Sequence, residues 1–179
     1  GAYGAYGTAA HYNTATGANA LTANTTGAYN TATGVSALNV NATGNYNTAT
    51  GVSTLAANVS GSYATAVGSF ALATNAGGEN NTAVGSFALT ANISGGYNTA
   101  IGTLALYYNT VSYNTAIGKS ALQNTATGGS NTAVGANALF SNTGGSNAAF
   151  GVNTLYDNAG GAQNTAFGTS SLFENTSGN

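Results

Sequence analysis

Ionisable side chains, which most catalytic and metal sites need, are almost absent from this sequence of 179 residues. Lys and Arg number one, Asp and Glu number three, and there is one histidine, so the formal net charge is −2. A nucleophile needs a neighbouring base, and His11 lies alone in an irregular N-terminal stretch. We therefore predict that the protein is not an enzyme and has no cofactor or metal.

One pair of acids has a spacing that could bind a cation. Asp157 and Glu174 occupy the same position in successive copies of a sequence repeat, so stacked copies would place them about 5 Å apart. The interpretation we favour is two solvated acids at the outer edge. Glu79 and Lys119 are interpreted in the same way.

The composition also restricts the partners. Phosphate recognition needs clustered Lys and Arg, and one Lys cannot supply it, so nucleic acid is not an expected ligand. No apolar run approaches the roughly 20 residues needed to span a bilayer, and no signal peptide is visible. Cysteine, proline and methionine are absent. The chain resembles a mature product or a piece of a longer protein.

The elements that would position any site come from a repeat of about seventeen residues, aligned on the motif Asn-Thr-Ala-x-Gly. The spacing of its glycine is seventeen, except for two intervals of sixteen, and an Ala precedes each glycine by two. We expect these glycines to form turns, because glycine adopts positive φ without penalty. The ten glycines are Gly17, Gly34, Gly51, Gly68, Gly85, Gly102, Gly118, Gly135, Gly151 and Gly168.

A leucine follows each glycine by four and is the predicted repeat core. In nine copies an Asn follows that leucine by three, and in nine copies a second glycine follows the first by ten. The ten leucines are Leu21, Leu38, Leu55, Leu72, Leu89, Leu106, Leu122, Leu139, Leu155 and Leu172.

Seventeen residues with two glycines are too short for a helix pair, which needs more than about thirty. Two short strands and two tight turns per coil fit the unit: one strand at Asn-Thr-Ala-x, the other leading to Ala-Leu, with the glycines in the turns. Stacking pairs each strand with its copy at about 4.8 Å, so ten coils give a rod of roughly 50 Å. We predict an all-β parallel β-solenoid or β-roll at 12–179 after an irregular segment at 1–11.

Alternation along a strand predicts which side chains face outward. If the motif Ala points inward, the residue after it points outward, together with the Thr before it. That outward residue is Thr in the first three copies and then Val, Ile or Phe, ending at Val134, Phe150 and Phe167. An apolar stripe of this kind should be covered, so these three residues are a predicted contact between chains. A kink at the glycine could bury the stripe within one chain instead.

Three further columns are candidates for a function, and two of them have a structural interpretation beside the functional one. The Asn after Leu can bond adjacent coils or carry sugar, and the tyrosines five before the glycine can stiffen the rod or bind glycans. The Thr column could in principle bind ice. Sites that match the glycosylation pattern are Asn24, Asn41, Asn58, Asn92 and Asn175 in the Asn column and Asn80 elsewhere.

The recurring strand, as in Asn131-Thr132-Ala133-Val134-Gly135 and Asn98-Thr99-Ala100-Ile101-Gly102, resembles the head repeats of trimeric autotransporter adhesins and the related repeats of tail-fibre proteins. The resemblance covers about Tyr12 to Gly178. It implies a left-handed β-roll, three chains side by side, and an adhesive or spacer role at a cell surface or in a virion fibre. The unit is longer than the usual head repeat, and its early copies have Thr in place of the aliphatic residue.

The leading hypothesis is an extracellular filament or fibre shaft that self-assembles, as a trimer or head to tail, and serves adhesion to a surface receptor. Uniform coils, little charge and the absence of a catalytic set favour it. The repeats continue to Gly178 without a polar cap, which suggests a fragment or stacking subunits. The alternatives are a carbohydrate-binding repeat module and an ice-binding rod.

Overall fold

A computed structural model describes residues 12–125 and 127–178, and it shows a parallel β-solenoid of about nine turns with about seventeen residues per turn. The predicted fold class is confirmed. The expected irregular segment at 1–11, with His11, lies outside the described residues. Ten three-residue strands form one sheet: β1 (Thr14–Thr16), β2 (Thr31–Thr33), β3 (Thr48–Thr50), β4 (Thr65–Val67), β5 (Thr82–Val84), β6 (Thr99–Ile101), β7 (Thr115–Ile117), β8 (Thr132–Val134), β10 (Ala148–Phe150) and β12 (Thr165–Phe167).

The sheet pairs each strand with the same residues of the next coil. Ala32 lies opposite Ala49, and Phe150 lies opposite Phe167. Because the repeat has a nearly constant length, every rung presents the equivalent repeat position to the same face. Each column of the sequence therefore forms a side-chain ladder along the rod.

The core is as thin as the sequence predicts. The strand Ala is fully buried in eight of the ten rungs and nearly so in a ninth, and the core leucines are buried except Leu172, which is 49% exposed in the last coil. The strand residues on either side of each Ala face outward. A third buried column is the Ala that immediately precedes the core Leu in most coils, so small side chains and one Leu fill the apolar core of each coil.

The prediction of a second strand in the segment leading to Ala-Leu is wrong. This segment is a corner turn whose backbone is in the left-handed region. The core leucines have φ between 47° and 55°, and the residues two before them have φ between 52° and 61°. Their amides still bond between coils, as from Leu38 to the carbonyl of Thr54 at 3.0 Å. Left-handed backbone costs about 1–2 kcal/mol per residue, and burying a leucine contributes about 1.5–3 kcal/mol, which offsets that cost.

A second sheet does exist, but it is short and lies after the leucine. It contains β9 (Ser141–Asn142), β11 (Asp157–Asn158) and β13 (Glu174–Asn175) in the last three coils. Corner turns rather than strands therefore form most of each coil outside the main sheet.

The two glycines of the repeat have different roles. The first has φ between 107° and 137° in all ten copies, which confirms the predicted turn. The second does not adopt positive φ, contrary to the expectation for it. A Cβ on Gly44 would meet the Gly61 carbonyl oxygen of the next coil first, and would lie 2.5 Å from Asn41 Oδ1 and 2.8 Å from Asn58 Nδ2. The second glycine is needed for space, because the next coil's backbone and the Asn side chains pack where its side chain would be.

Candidate functional site

The few acids form no reactive cluster. Asp157 and Glu174 lie opposite each other in register, as predicted, and both are exposed. Within residues 12–125 and 127–178, no group of three His, Cys, Asp or Glu side chains could hold a metal ion. Glu79 and Lys119 are exposed as well.

The Asn after each core Leu forms a buried amide ladder along the rod. Asn41 Nδ2 donates to Asn24 Oδ1 of the preceding coil at 2.8 Å and to the Gly44 carbonyl of its own coil at 3.0 Å. Asn58 Nδ2 donates in turn to Asn41 Oδ1 at 2.7 Å. Each amide thus joins two coils and closes its own turn, which is the structural interpretation of this column.

This ladder has one break, where a coil is shortened. The ladder runs from Asn24 to Asn92, but Asn92 Oδ1 is buried with no hydrogen-bond partner. In the next coil, which is one residue shorter, Asn109 Nδ2 donates to the Val111 carbonyl at 2.7 Å and does not reach back. The following coil has Thr125 in place of this Asn, and the ladder resumes from Asn142 to Asn175. The break therefore spans the shortened coil and the coil that lacks the Asn.

The Asn of the Asn-Thr-Ala motif forms a second ladder, whose role the sequence reasoning did not identify. Asn30 Oδ1 accepts from the backbone amide of Asn47 at 2.9 Å, and Asn30 Nδ2 donates to the Gly44 carbonyl at 2.8 Å. Asn98 and Asn114 repeat the first contact at 2.9 Å. The signal was present in the sequence, since Asn recurs immediately before the Thr of nearly every strand.

Burial limits the glycosylation sites. Asn24, Asn41, Asn58 and Asn92 are at most 3% exposed. Their Nδ2 atoms, which would have to carry the sugar, donate hydrogen bonds inside the rod. A glycan cannot be placed there in the folded chain. Asn80 and Asn175 are half-buried at the surface.

The tyrosine column stacks on the outside of the rod, beside the main sheet. Ring centroids are 5.0 Å apart for Tyr12–Tyr29, 4.8 Å for Tyr29–Tyr46 and 5.2 Å for Tyr46–Tyr63, with planes within 11°. A second segment contains Tyr97 and Tyr113 at 5.2 Å. Within a segment each ring covers the face of its neighbour, so a sugar would meet ring edges rather than faces.

Other aromatic ladders were not foreseen, because their residue types vary between coils. One ladder consists of the residues just after the last three core leucines, with ring centroids 4.9 and 5.0 Å apart: Phe140, Tyr156 and Phe173. Phe70 and Phe87 stack at 5.1 Å two residues after the glycine. Stacked aromatic pairs contribute about 0.5–1.5 kcal/mol beyond area burial, so these ladders also hold the coils in register.

The outward face of the main sheet carries two files of side chains. One file is Thr in nine of ten strands, and the other changes from Thr to Val, Ile and Phe. Val67, Val84, Ile101 and Ile117 are 37–40% exposed and form a continuous ridge. Phe150 and Phe167 extend it as a stack with a 4.7 Å spacing. The predicted outward orientation is confirmed.

No protein-family model matches the chain, and neither a curated protein nor a solved structure resembles it at a significant level. The described residues contain no helix that is long and apolar enough to cross a membrane.

Proposed function

We propose that this chain is a rigid structural rod that assembles side by side with further copies into an extracellular fibre. The observation that carries the proposal is the apolar ridge on the outward face of the main sheet. The trimeric, left-handed arrangement and the adhesive use implied by the adhesin and tail-fibre resemblance are parts of the same proposal.

Rigidity is supported by how completely the coils are joined. Strand pairing connects each rung of the main sheet to the next, and two Asn ladders and stacked aromatics add contacts between many of the coils. A rod held by repeated nearest-neighbour contacts keeps its shape as coils are added. Such a body suits a spacer or shaft.

A second copy fits the ridge because both rods have the same period. The side chains of the ridge are spaced at about 4.8 Å along each rod. Those of one copy can therefore lie between those of the other over the whole sheet. The face contains only Thr, Ala, Val, Ile and Phe, so identical copies do not repel each other electrostatically.

The size of the face predicts a weak contact for each pair. Nine steps of about 4.8 Å give a length of about 43 Å, and three residues give a width of about 10 Å. Two copies would bury roughly 900 Å², which is below the about 1,200 Å² of a stable specific complex. Association should therefore depend on concentration and increase with the number of coils.

Sedimentation velocity of ridge variants tests the proposal. Val84→Asp combined with Ile101→Asp puts two charges on the ridge, and Val59→Asp adds a charge to an exposed turn in a different part of the coil. The double variant should sediment as a monomer at concentrations where the wild type and Val59→Asp associate. A monomeric wild type at about 0.5 mM, or an equal effect of Val59→Asp, would overturn the proposal.

Ice binding is a second candidate, and it rests on the first three rungs. There both outward files are threonine: Thr14 and Thr16, Thr31 and Thr33, and a third pair in β3, all exposed. This regular array of hydroxyl and methyl groups could order water. Thermal hysteresis that is lost on changing Thr31 to Lys would favour ice binding, and its absence in the wild type would exclude it.

A further inference from the structure

One rung of the tyrosine ladder is vacant, and its position is occupied by Asn80. The amide of Asn80 donates to the carbonyl of Ser62, and that of Tyr97 donates to the carbonyl of Glu79, both at 3.0 Å. These bonds place Tyr63, Asn80 and Tyr97 in one column on consecutive coils. The two rings are thus separated by two ladder steps, or about 10 Å.

The tyrosines on either side of the vacant rung are more exposed than those inside the ladder. Tyr29 and Tyr46, which have a ring on each side, are 48% and 49% exposed, whereas Tyr63 and Tyr97 are each 56% exposed. Asn is shorter than Tyr, since its amide carbon occupies the place of the first ring carbon. A slot therefore remains between the outer parts of the two rings, with the amide at its inner end.

One polar side chain occupies the vacant rung, and a charged residue precedes it in the sequence. The side chain of Asn80 forms no hydrogen bond with any described residue, and it can both donate and accept. Glu79, which precedes it, is exposed and lies in no ion pair within the described chain. On the adjacent coil its neighbour is Gly96, which has no side chain to restrict it.

We propose that this slot binds one pyranose ring of a carbohydrate, held between Tyr63 and Tyr97. The C–H groups of a pyranose face are weakly positive and match the negative face of an aromatic ring. Its hydroxyls are donors and acceptors, which the Asn80 amide and the Glu79 carboxylate complement. An apolar clamp with a few convergent polar groups is the usual composition of a small-molecule site.

A pyranose fits better than an aromatic side chain from another protein. A flat ring would fill the slot but would leave the amide and the carboxylate without partners, and unpaired polar groups reduce affinity. The site does not depend on the assembly proposed above. The monomeric double variant at Val84 and Ile101 should bind sugar as the wild type does, so the two proposals fail separately.

A variant that fills the slot and a matched control that leaves it open give the test. Asn80→Tyr completes the ladder and fills the slot, at a position where tyrosine already has the same backbone conformation in other coils. Ser130→Tyr is the matched control, because it adds a tyrosine to the same column at φ 60°, beyond Tyr113 and away from the slot. Both variants should fold, which circular dichroism checks.

Binding is measured by NMR titration of ¹⁵N-labelled protein with methyl β-D-glucopyranoside and methyl β-D-galactopyranoside. We expect saturable shifts at the Asn80 side-chain amide, and at the backbone amide of Tyr97, which every variant retains, with a Kd of about 1–10 mM, which is typical of a ligand of about a dozen non-hydrogen atoms. Asn80→Tyr and Tyr63→Ser should weaken binding at least tenfold, and Ser130→Tyr should not. No shift with either sugar at 50 mM, or unchanged binding by Asn80→Tyr, would refute the site.

Discussion

At the sequon Asn41-Ala42-Thr43, the contribution of the Asn ladder to stability can be measured separately from any effect of glycosylation. Replacing Asn41 or Thr43 with Ala abolishes the sequon equally. Only Asn41 lies in the ladder, where it is fully buried and makes three hydrogen bonds. Thr43 is exposed, and its side chain makes no hydrogen bond with the described residues. The two substitutions therefore share one effect and differ in the other.

The magnitude follows from the groups left unpaired. Asn41→Ala removes the only partner of Asn24 Oδ1 and leaves one Asn58 N–H without an acceptor, while the Gly44 carbonyl keeps its bond from Asn30. Each buried group without a partner costs about 1–3 kcal/mol. Asn41→Ala should therefore destabilise the fold by about 2–6 kcal/mol, and Thr43→Ala by less than about 0.5 kcal/mol.

Urea unfolding followed by circular dichroism measures this difference in protein from a host that does not glycosylate. Hydrogen exchange locates it, because the loss should concentrate in the coils that contain Asn24, Asn41 and Asn58. Equal stabilities of the two variants would refute the ladder reasoning. In a glycosylating host, an intact mass that includes a glycan on Asn41 would contradict its burial.

Five further substitutions test the core and the turns. Leu72→Ala should cost about 2–5 kcal/mol in a thermal unfolding experiment, and Leu172→Ala clearly less, because Leu172 is half exposed. Gly51→Ala should lower the melting temperature strongly, since φ is 135° and a Cβ would lie 2.8 Å from the next coil's backbone; Gly77→Ala, whose nearest contact would be 3.4 Å away, should leave it almost unchanged. Ala83→Val should cost about 1–3 kcal/mol by overpacking a fully buried position, as measured by calorimetry.

The features that follow a constant column could be predicted from the sequence. Leu and Ala each recur at ten equivalent positions, which predicts that both side chains point into the coil. Alternation along the strand then places Thr and the variable residue outside. The stacked tyrosines follow from the same periodicity. Each of these conclusions needs only the identity of the repeat and the fact that stacked coils superpose equivalent residues.

The corner could not be predicted, because its backbone contradicts local preference. Leu at φ near 50° is disfavoured in isolation, and the residue two before it is Phe or Leu in some coils and Ser or Asn in others. The conformation is imposed by closing a seventeen-residue coil around a buried leucine. Likewise the second glycine is required by the packing of Asn41 and Asn58 in neighbouring coils, which no property of a single coil reveals.

The binding slot depends on an exception to the pattern rather than on the pattern. The sequence shows that Asn80 interrupts the tyrosine column. Only the structure shows that the backbone keeps Tyr63, Asn80 and Tyr97 in one column, and that the two tyrosines are more exposed than those inside the ladder. A repeat alignment alone treats such a position as a mismatch.

Assembly through the main sheet is the central claim, and an electron cryo-microscopy reconstruction of the purified protein tests it most directly. We predict rods in lateral contact, with Val134, Phe150 and Phe167 buried between neighbouring chains and a fixed number of chains around a common axis. Isolated single-chain rods whose outward sheet face is exposed to solvent would contradict the claim.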